Sequence, residues 1–327
     1  MLPVTETSFA FGPDGGLIGT WTQPGSSVGL VPTLGLVLFN AGVVHRVGPH
    51  RLNVKIARQA ARMGVPALRF DLHGQGDSAR ASNSLGYVEQ VLADLGSAMQ
   101  ELGSRSGVER FAILGFCSGA PTALRSALVD PRVASVLLYD GFTYPTLGSR
   151  VRRYLMRIRQ HGVAHAVGGW LRRSVAQALG QSRRLLRALR RGNRGAGANA
   201  GSSPGSFGRR ELVEALNALV TRGVHVTVLH SGDGFDHVNY VAQFRDATRR
   251  YGLSEKVVTD FLPQINHVAT SLESQRIFCD YVVERWVRQS LPPTRQEHTT
   301  ADPGPEPAGS PTATTPREEA GHARASA

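Results

Sequence analysis

Cys117 lies at the centre of Gly115-Phe-Cys-Ser-Gly119, directly behind the apolar run Phe111–Leu114 and ahead of a stretch that reads as a helix from Ala120 to Val129. A short buried strand, a Gly-x-nucleophile-x-Gly turn and then a helix are the sequence form of a nucleophile elbow. The turn strains its central residue, and small residues on either side of it avoid the clash. A thiol at that place implies attack on a carbonyl through a thiolate. A lone cysteine in an apolar stretch also reads as a small buried hydrophobe. The residues that follow it are what favour chemistry.

A thiol nucleophile needs a base, and the base needs an acid to hold its tautomer. His267 is the base candidate, in the loop Leu262-Pro-Gln-Ile-Asn-His267 between the last predicted strand and the last predicted helix. The acid is expected after the preceding strand, where Ser231-Gly-Asp-Gly-Phe-Asp236 offers two carboxylates. Asp233 is nearer the strand end and is preferred, with Asp236 as the alternative. Negative charge developing on the carbonyl oxygen must meet fixed N–H donors. The Ser118 backbone N–H would supply one, at a helix N-terminus whose dipole also lowers the thiol pKa. Gly42 or Val43, in the loop after the strand Leu34–Phe39, would supply the other. Arg46 and Arg51 in the same loop either bind a substrate carboxylate or phosphate or pair with Asp71 or Asp77 and tie loops together.

The elements that must position these groups follow from periodicity. A hairpin is expected over Thr5–Pro24. Strands Leu34–Phe39, Val65–Phe70, Arg110–Gly115 and Val133–Tyr139 alternate with helices His50–Met63, Gly86–Leu102 and Ala120–Val129. The strands are continuous apolar runs of the kind buried on both faces of a parallel sheet. Residues 141–210 break this pattern. They contain no Asp or Glu, Arg recurs from Arg150 to Arg210, and they read as basic helices (Val151–Gln160, Val175–Arg190) leading into Gly192–Gly208. The α/β pattern then resumes with helix Glu211–Arg222, strand Val224–His230, helix Val238–Tyr251, strand Lys256–Phe261 and helix Ser271–Gln289. Beyond Leu291 the chain is Pro, Thr, Ala, Gly and charge, a composition too poor in large apolar residues to fold.

The formal net charge is +12 over 327 residues, and the only lysines are Lys55 and Lys256. Such a balance attracts anionic partners. No run approaches the roughly 18 apolar residues of a membrane span, and the N-terminal residues lack a secretory signal pattern. Two cysteines indicate no disulfide framework, so a cytoplasmic location is expected. No metal-ligand spacing, Walker loop or dinucleotide fingerprint occurs, so neither metal nor cofactor is expected. The arginines carry no interleaved aromatics, which argues against nucleic acid.

The motifs F-N-A-G (39–42), R-F-D-L-H-G-Q-G-D-S (69–78), G-F-C-S-G (115–119), S-G-D (231–233) and N-H (266–267) resemble those of an α/β-hydrolase with an inserted cap, over about residues 5–290. The Arg-x-Gly-x-x-Arg element at Arg46–Arg51 is similar to one in bacterial hydrolases associated with exosortase and exopolysaccharide gene clusters. Those enzymes usually carry serine at the elbow, so Cys117 is a departure. Dienelactone hydrolases and polyhydroxyalkanoate synthases have a similar G-x-C-x-G box. The resemblance implies a mostly parallel sheet flanked by helices. Core segments 1–140 and 211–290 would enclose a basic helical cap at 141–210, followed by a disordered tail at 291–327. It also implies an acyl hydrolase, thioesterase or carboxylesterase, working through Cys117, His267 and Asp233 and a covalent acyl-enzyme. Its substrate would be a small or carrier-bound acyl compound, anionic in character, and the basic cap could also touch a membrane surface. An acyltransferase using the same site and a non-catalytic binding protein are the alternatives.

Overall fold

The computed structural model describes residues 4–25, 32–156, 158–159, 207–232 and 238–292. The expectations for Val175–Arg190, for most of Gly192–Gly208, for Asp233 and Asp236, and for the C-terminal tail fall outside those residues. Eight strands form one sheet in the order β1-β2-β4-β3-β5-β6-β7-β8. β1 (Thr5–Phe11) and β2 (Leu17–Gln23) make the expected hairpin, and β2 runs antiparallel to β4 (Ala67–Asp71). From β4 onward every pair is parallel: β3 (Gly35–Leu38), β5 (Phe111–Phe116), β6 (Val133–Tyr139), β7 (His225–Ser231) and β8 (Val258–Leu262).

Because side chains alternate along a strand, each strand feeds two cores. Val37 and Ile113 face one side, with Leu95 and Met99 of α2 (Tyr87–Ser106), Leu124 of α3 (Ala120–Val129) and Leu216 of α5 (Arg209–Thr221). Leu36, Leu38 and Leu114 face the other side, with Ile56 of α1 (Leu52–Arg62) and Phe278 of α7 (Leu272–Asp280). The last helix continues from α7 through a π-helical stretch, Tyr281–Val287, to Ser290, and seats Trp286 in the same core. Each of these large side chains, fully buried, contributes on the order of 2 kcal/mol.

The strand order fixes where a site must fall. From β3 the chain moves outward to β4, then crosses back to β5 on the opposite flank of β3. The loops leaving β3 and β5 therefore diverge above the sheet and open a crevice at this switch point. Residues 39–51 and the Gly115–Gly119 turn are those loops.

Three elements differ from the sequence expectation. The helix after β3 starts at Leu52, because His50 and Arg51 both adopt positive φ (50° and 62°). The helix expected over Val238–Tyr251 shrinks to α6 (Gln243–Thr248) and a 3₁₀ turn, Arg249–Tyr251. Asn239 there bonds elsewhere: its N–H donates to Gln243 Oε1 at 3.0 Å and its side chain to the Ser149 carbonyl at 2.9 Å. Such local side-chain bonds compete with helix formation. The first helix of the insert, α4 (147–156), begins four residues before Val151.

Candidate active site

β5 delivers Cys117 in a left-handed conformation, φ 52°, and the chain turns through a single 3₁₀ turn (Cys117–Gly119) into α3. This is the predicted elbow. Cys117 is half-buried and a free thiol. Its sulfur is hydrogen-bonded to the His267 ring and receives the Ser118 backbone N–H. The bond to His267 lowers the thiol pKa most, burial opposes it, and the charge on His267 and the Ser118 N–H add to the lowering.

His267 is held from the other side. Its Nδ1–H donates to Asp140 Oδ2 at 2.8 Å, which leaves Nε2 for the thiol. The bond to Asp140, then the bond to Cys117, raises its pKa to about 10. Tyr139 stacks on the imidazole, with centroids 6.0 Å apart and planes 10° apart, and Phe116 meets it edge-on at 5.6 Å. The Tyr139 hydroxyl donates to the His267 carbonyl at 3.0 Å, so the loop backbone is pinned as well as the ring.

Asp140 is the residue that the sequence reading missed. It follows β6 immediately, with φ 50°, and its side chain is 10 % exposed. Burial works against its charge, but hydrogen bonds from His267, the Ser231 hydroxyl (2.7 Å) and the Ser231 N–H (2.8 Å) outweigh it and hold the carboxyl low. The buried His230 ring, kept neutral by burial, donates from Nε2 to the Phe142 carbonyl at 2.8 Å and fixes the chain just beyond. Among the described residues, a carboxylate that bonds His267 comes from the end of β6. Asp233 and Asp236, expected in that role, lie outside the described residues. Gly141 was the available signal for Asp140: a Cβ there would stand 2.1 Å from the Ala120 Cβ, so only glycine lets this strand end close onto the elbow helix.

The loop after β3 packs against the elbow. Asn40 is buried and anchors it, donating to the Val44 carbonyl (2.7 Å) and to Asp71 Oδ1 (2.8 Å) and accepting from the Leu72 N–H (2.6 Å). Gly42 turns there with φ 57°, close enough that a Cβ would lie 3.3 Å from Ser118 Oγ. Val43 is 92 % exposed. The loop therefore lies beside the place where an oxyanion would form.

Arg46 takes the loop-tying role of the two considered. Its Nη1 donates to Asp71 Oδ2 (2.5 Å) and Asp77 Oδ2 (2.6 Å), and its backbone N–H donates to Asp71 Oδ1 (2.7 Å). His45, Asp71 and Asp77 converge as three metal ligands would, but this guanidinium already supplies their cation. Arg51, also considered for substrate, is exposed at the same loop's end.

No protein-family model and no curated protein matches the chain in sequence. Solved structures do match it in fold. An esterase from Pyrococcus furiosus has TM-score 0.52 at 14 % identity, over 89 % of this chain and 92 % of its own. A protein from Klebsiella pneumoniae assigned as a dienelactone hydrolase has TM-score 0.51 at 15 % identity, over 88 % and 99 %. A lidless α/β serine hydrolase from Xanthomonas campestris has TM-score 0.50 at 14 % identity, over 90 % and 99 %. The chain has the α/β-hydrolase fold. Among the described residues, no helix is long and apolar enough to cross a membrane.

Proposed function

We propose that this protein is an acyl hydrolase working through Cys117, His267 and Asp140. The observation that carries the proposal is the hydrogen-bonded chain from the strained Cys117 through His267 to the buried Asp140. The lowered thiol pKa and raised imidazole pKa favour a resting thiolate beside an imidazolium. The thiolate attacks the substrate carbonyl carbon, forming the C–S bond and placing the former π electrons on oxygen. That oxyanion is met by the Ser118 N–H, with Gly42 or Val43 as second donor. As it collapses, the bond to the leaving group breaks and the imidazolium gives that group its proton. Neutral His267 then takes a proton from water, hydroxide attacks the acyl-enzyme, and Cys117 leaves as thiolate.

Ester-cleaving neighbours such as the Pyrococcus esterase support the reaction class. The nucleophile's identity narrows the leaving group. From an ester-derived intermediate, the Cys117 thiolate departs more readily than an alkoxide, and the substrate returns. A thioester presents two sulfur leaving groups of similar basicity, so forward collapse competes. Thioesters are therefore the favoured substrates, with activated esters next. Two free cysteines fit a reducing, cytoplasmic setting.

The test is acyl release from a panel of aryl esters and thioesters by the parent and Cys117→Ala, with intact mass on the same samples. Turnover lost in the variant, with an acyl adduct on the parent, is the expected result. A product that requires added alcohol would make the enzyme an acyltransferase. Absence of turnover and adduct alike across the panel would overturn the proposal in favour of a binding protein.

A further inference from the structure

The base of the 141–210 insert holds an open groove of about 850 Å³ that the reacting groups do not use. Arg150 from α4, Arg209 from the start of α5, and Arg249 and Arg250 from the turn after α6 line it. Tyr240 stands in it, its hydroxyl bridging Thr146 Oγ1 (2.9 Å) and Asp246 Oδ2 (2.7 Å), with the Arg152 guanidinium 4.9 Å from its ring centroid.

Four guanidiniums thus face one concavity with a single carboxylate, and that carboxylate is engaged by Tyr240. Elsewhere Arg46, Arg58, Arg69, Arg105, Arg132 and Arg285 each pair with an Asp or Glu. Among the described residues no carboxylate pairs with Arg150, Arg209, Arg249 or Arg250. Arg209 is positioned without one: it donates to the Pro145 carbonyl at 3.1 Å and lies 5.2 Å from the Tyr144 ring centroid. Arg250 lies 4.6 Å from the Tyr251 ring centroid. Unneutralised cations converging on one cavity raise its potential and leave guanidinium N–H donors for a multiply charged anion. The volume exceeds what one small anion needs.

The groove is tied to the reacting centre by the backbone. Asp140 and Pro145 belong to one segment, and five residues span at most about 18 Å when fully extended. The segment is fixed midway by the His230 bond to Phe142 and a Gln243 bond to the Tyr144 carbonyl (3.0 Å). A substrate whose reacting carbonyl sits at Cys117 can therefore place a distant anionic end here.

We infer that this groove binds the phosphates of a multiply phosphorylated thiol, the leaving group of the thioester substrate. The inference rests on the thioesterase reading for the leaving group, and on the groove alone for the anion site. Anion binding follows from unpaired charge, and the leaving-group assignment follows from the groove's distance along the chain from Asp140.

Two measurements separate these parts. The first is calorimetric binding of inorganic tripolyphosphate to the parent and to an Arg249→Ala/Arg250→Ala variant, whose changes are confined to exposed side chains. The expected result is binding in the parent that weakens about tenfold or more in the variant and fades with salt. Equal binding by both proteins, or none by the parent, overturns the anion site whatever the catalytic outcome. The second measurement compares KM for a coenzyme A thioester with KM for the same acyl group on N-acetylcysteamine, which lacks phosphates. The variant is expected to raise the first about tenfold and leave the second unchanged. Equal changes, or a KM in the parent that ignores the phosphates, overturn the leaving-group assignment. Tripolyphosphate binding without turnover of either thioester would retain the anion site and overturn the thioesterase reading.

Discussion

Two charged clusters sit at the same rim of the sheet and differ in what their charges are left to do. At the ends of β3 and β4, Asp71 is fully buried and accepts from Arg46, Asn40 and two backbone N–H groups. Its partner Arg46 divides one nitrogen between two carboxylates. His45 also reaches the cluster, its Nε2 3.1 Å from Asp77 Oδ2 and 3.4 Å from Asp71 Oδ2, but the permanent charge of Arg46 is what answers both carboxylates. At the ends of β5 and β6, Asp140 is almost as buried and as well satisfied, but its main partner is a ring that titrates. That ring is 36 % exposed at its side chain and turns its second nitrogen to a thiol. A buried carboxylate becomes part of a reacting centre when its charge is passed to a group that can give a proton away. In the Asp71 cluster the permanent charge of Arg46 bonds both carboxylates, and the one ring beside them, His45, bonds only Arg46, these carboxylates and the Val47 N–H rather than a thiol, so the cluster holds loops.

The largest test of this contrast is removal of Cys117. Cys117→Ala is expected to abolish turnover, a loss of about 10³-fold or more, with little change in thermal stability because the side chain is half-buried. Comparable residual thioester turnover would move the nucleophile elsewhere. The pH profile sharpens the same point. A lowered thiol pKa means that alkylation by iodoacetamide persists below the ordinary thiol value of 9.0. In His267→Ala the largest cause of that lowering is gone, and the acid limb of alkylation should move up. Turnover should fall again on the alkaline side near His267's value of about 10, where the imidazolium acid is lost.

Asp140→Asn comes next, with an expected loss of about 10²–10⁴-fold in kcat/KM. The amide can donate to Nδ1 and so stabilise the wrong tautomer. Its signature in stability has a definite sign. Because the fold lowers the Asp140 pKa, its contribution is present above the ordinary carboxylate range and lost as pH falls through the folded value. His267, raised to about 10, contributes fully below its ordinary 6.5 and loses that contribution as pH rises through about 10. Urea midpoints across pH should therefore show the variant missing the acid-side fall. An unchanged profile would return the orienting role to another carboxylate.

Arg46→Ala reverses the pattern. It strands the buried Asp71 charge and is expected to cost about 3–5 kcal/mol of stability. The fraction that folds should keep its acid and alkaline limbs, since neither His267 nor Cys117 bonds to this cluster. A displaced acid limb would mean that the two clusters are coupled.

The sequence disclosed the parts whose residue types leave few alternatives. A strand, a Gly-x-Cys-x-Gly turn and a helix read together as an elbow, and Cys117 stands there at φ 52°. His267 was legible because it sits in a loop after the final strand. Asp140 was not, because an aspartate ending a buried strand also looks like an ordinary turn residue. The information lay instead in Gly141, whose missing Cβ matters only once Ala120 is known to lie against it. The choice between Arg46 as ligand and Arg46 as tie was equally closed to sequence, since it depends on which loops meet. Phe207 and Tyr240 give no hint in sequence of the contacts they make, because their partners, Arg125 and Thr146, are remote in the chain.

The smallest expected effect concerns Arg51, which belongs to neither cluster. It is exposed and left-handed, φ 62°, directly after His50 at φ 50°. Left-handed backbone costs a residue with a Cβ about 1–2 kcal/mol, while glycine carries a larger unfolded-state entropy that offsets part of this. Arg51→Gly should therefore stabilise the fold by somewhat under about 1 kcal/mol, a rise of a few degrees at most in Tm. If Arg51 meets an anionic substrate, the same variant raises KM for that substrate while Tm rises. If it does not, Tm rises alone. A fall in Tm would show that the guanidinium contributes more to the loop than its backbone strain costs, which would place Arg51 with Arg46 as a tie between loops.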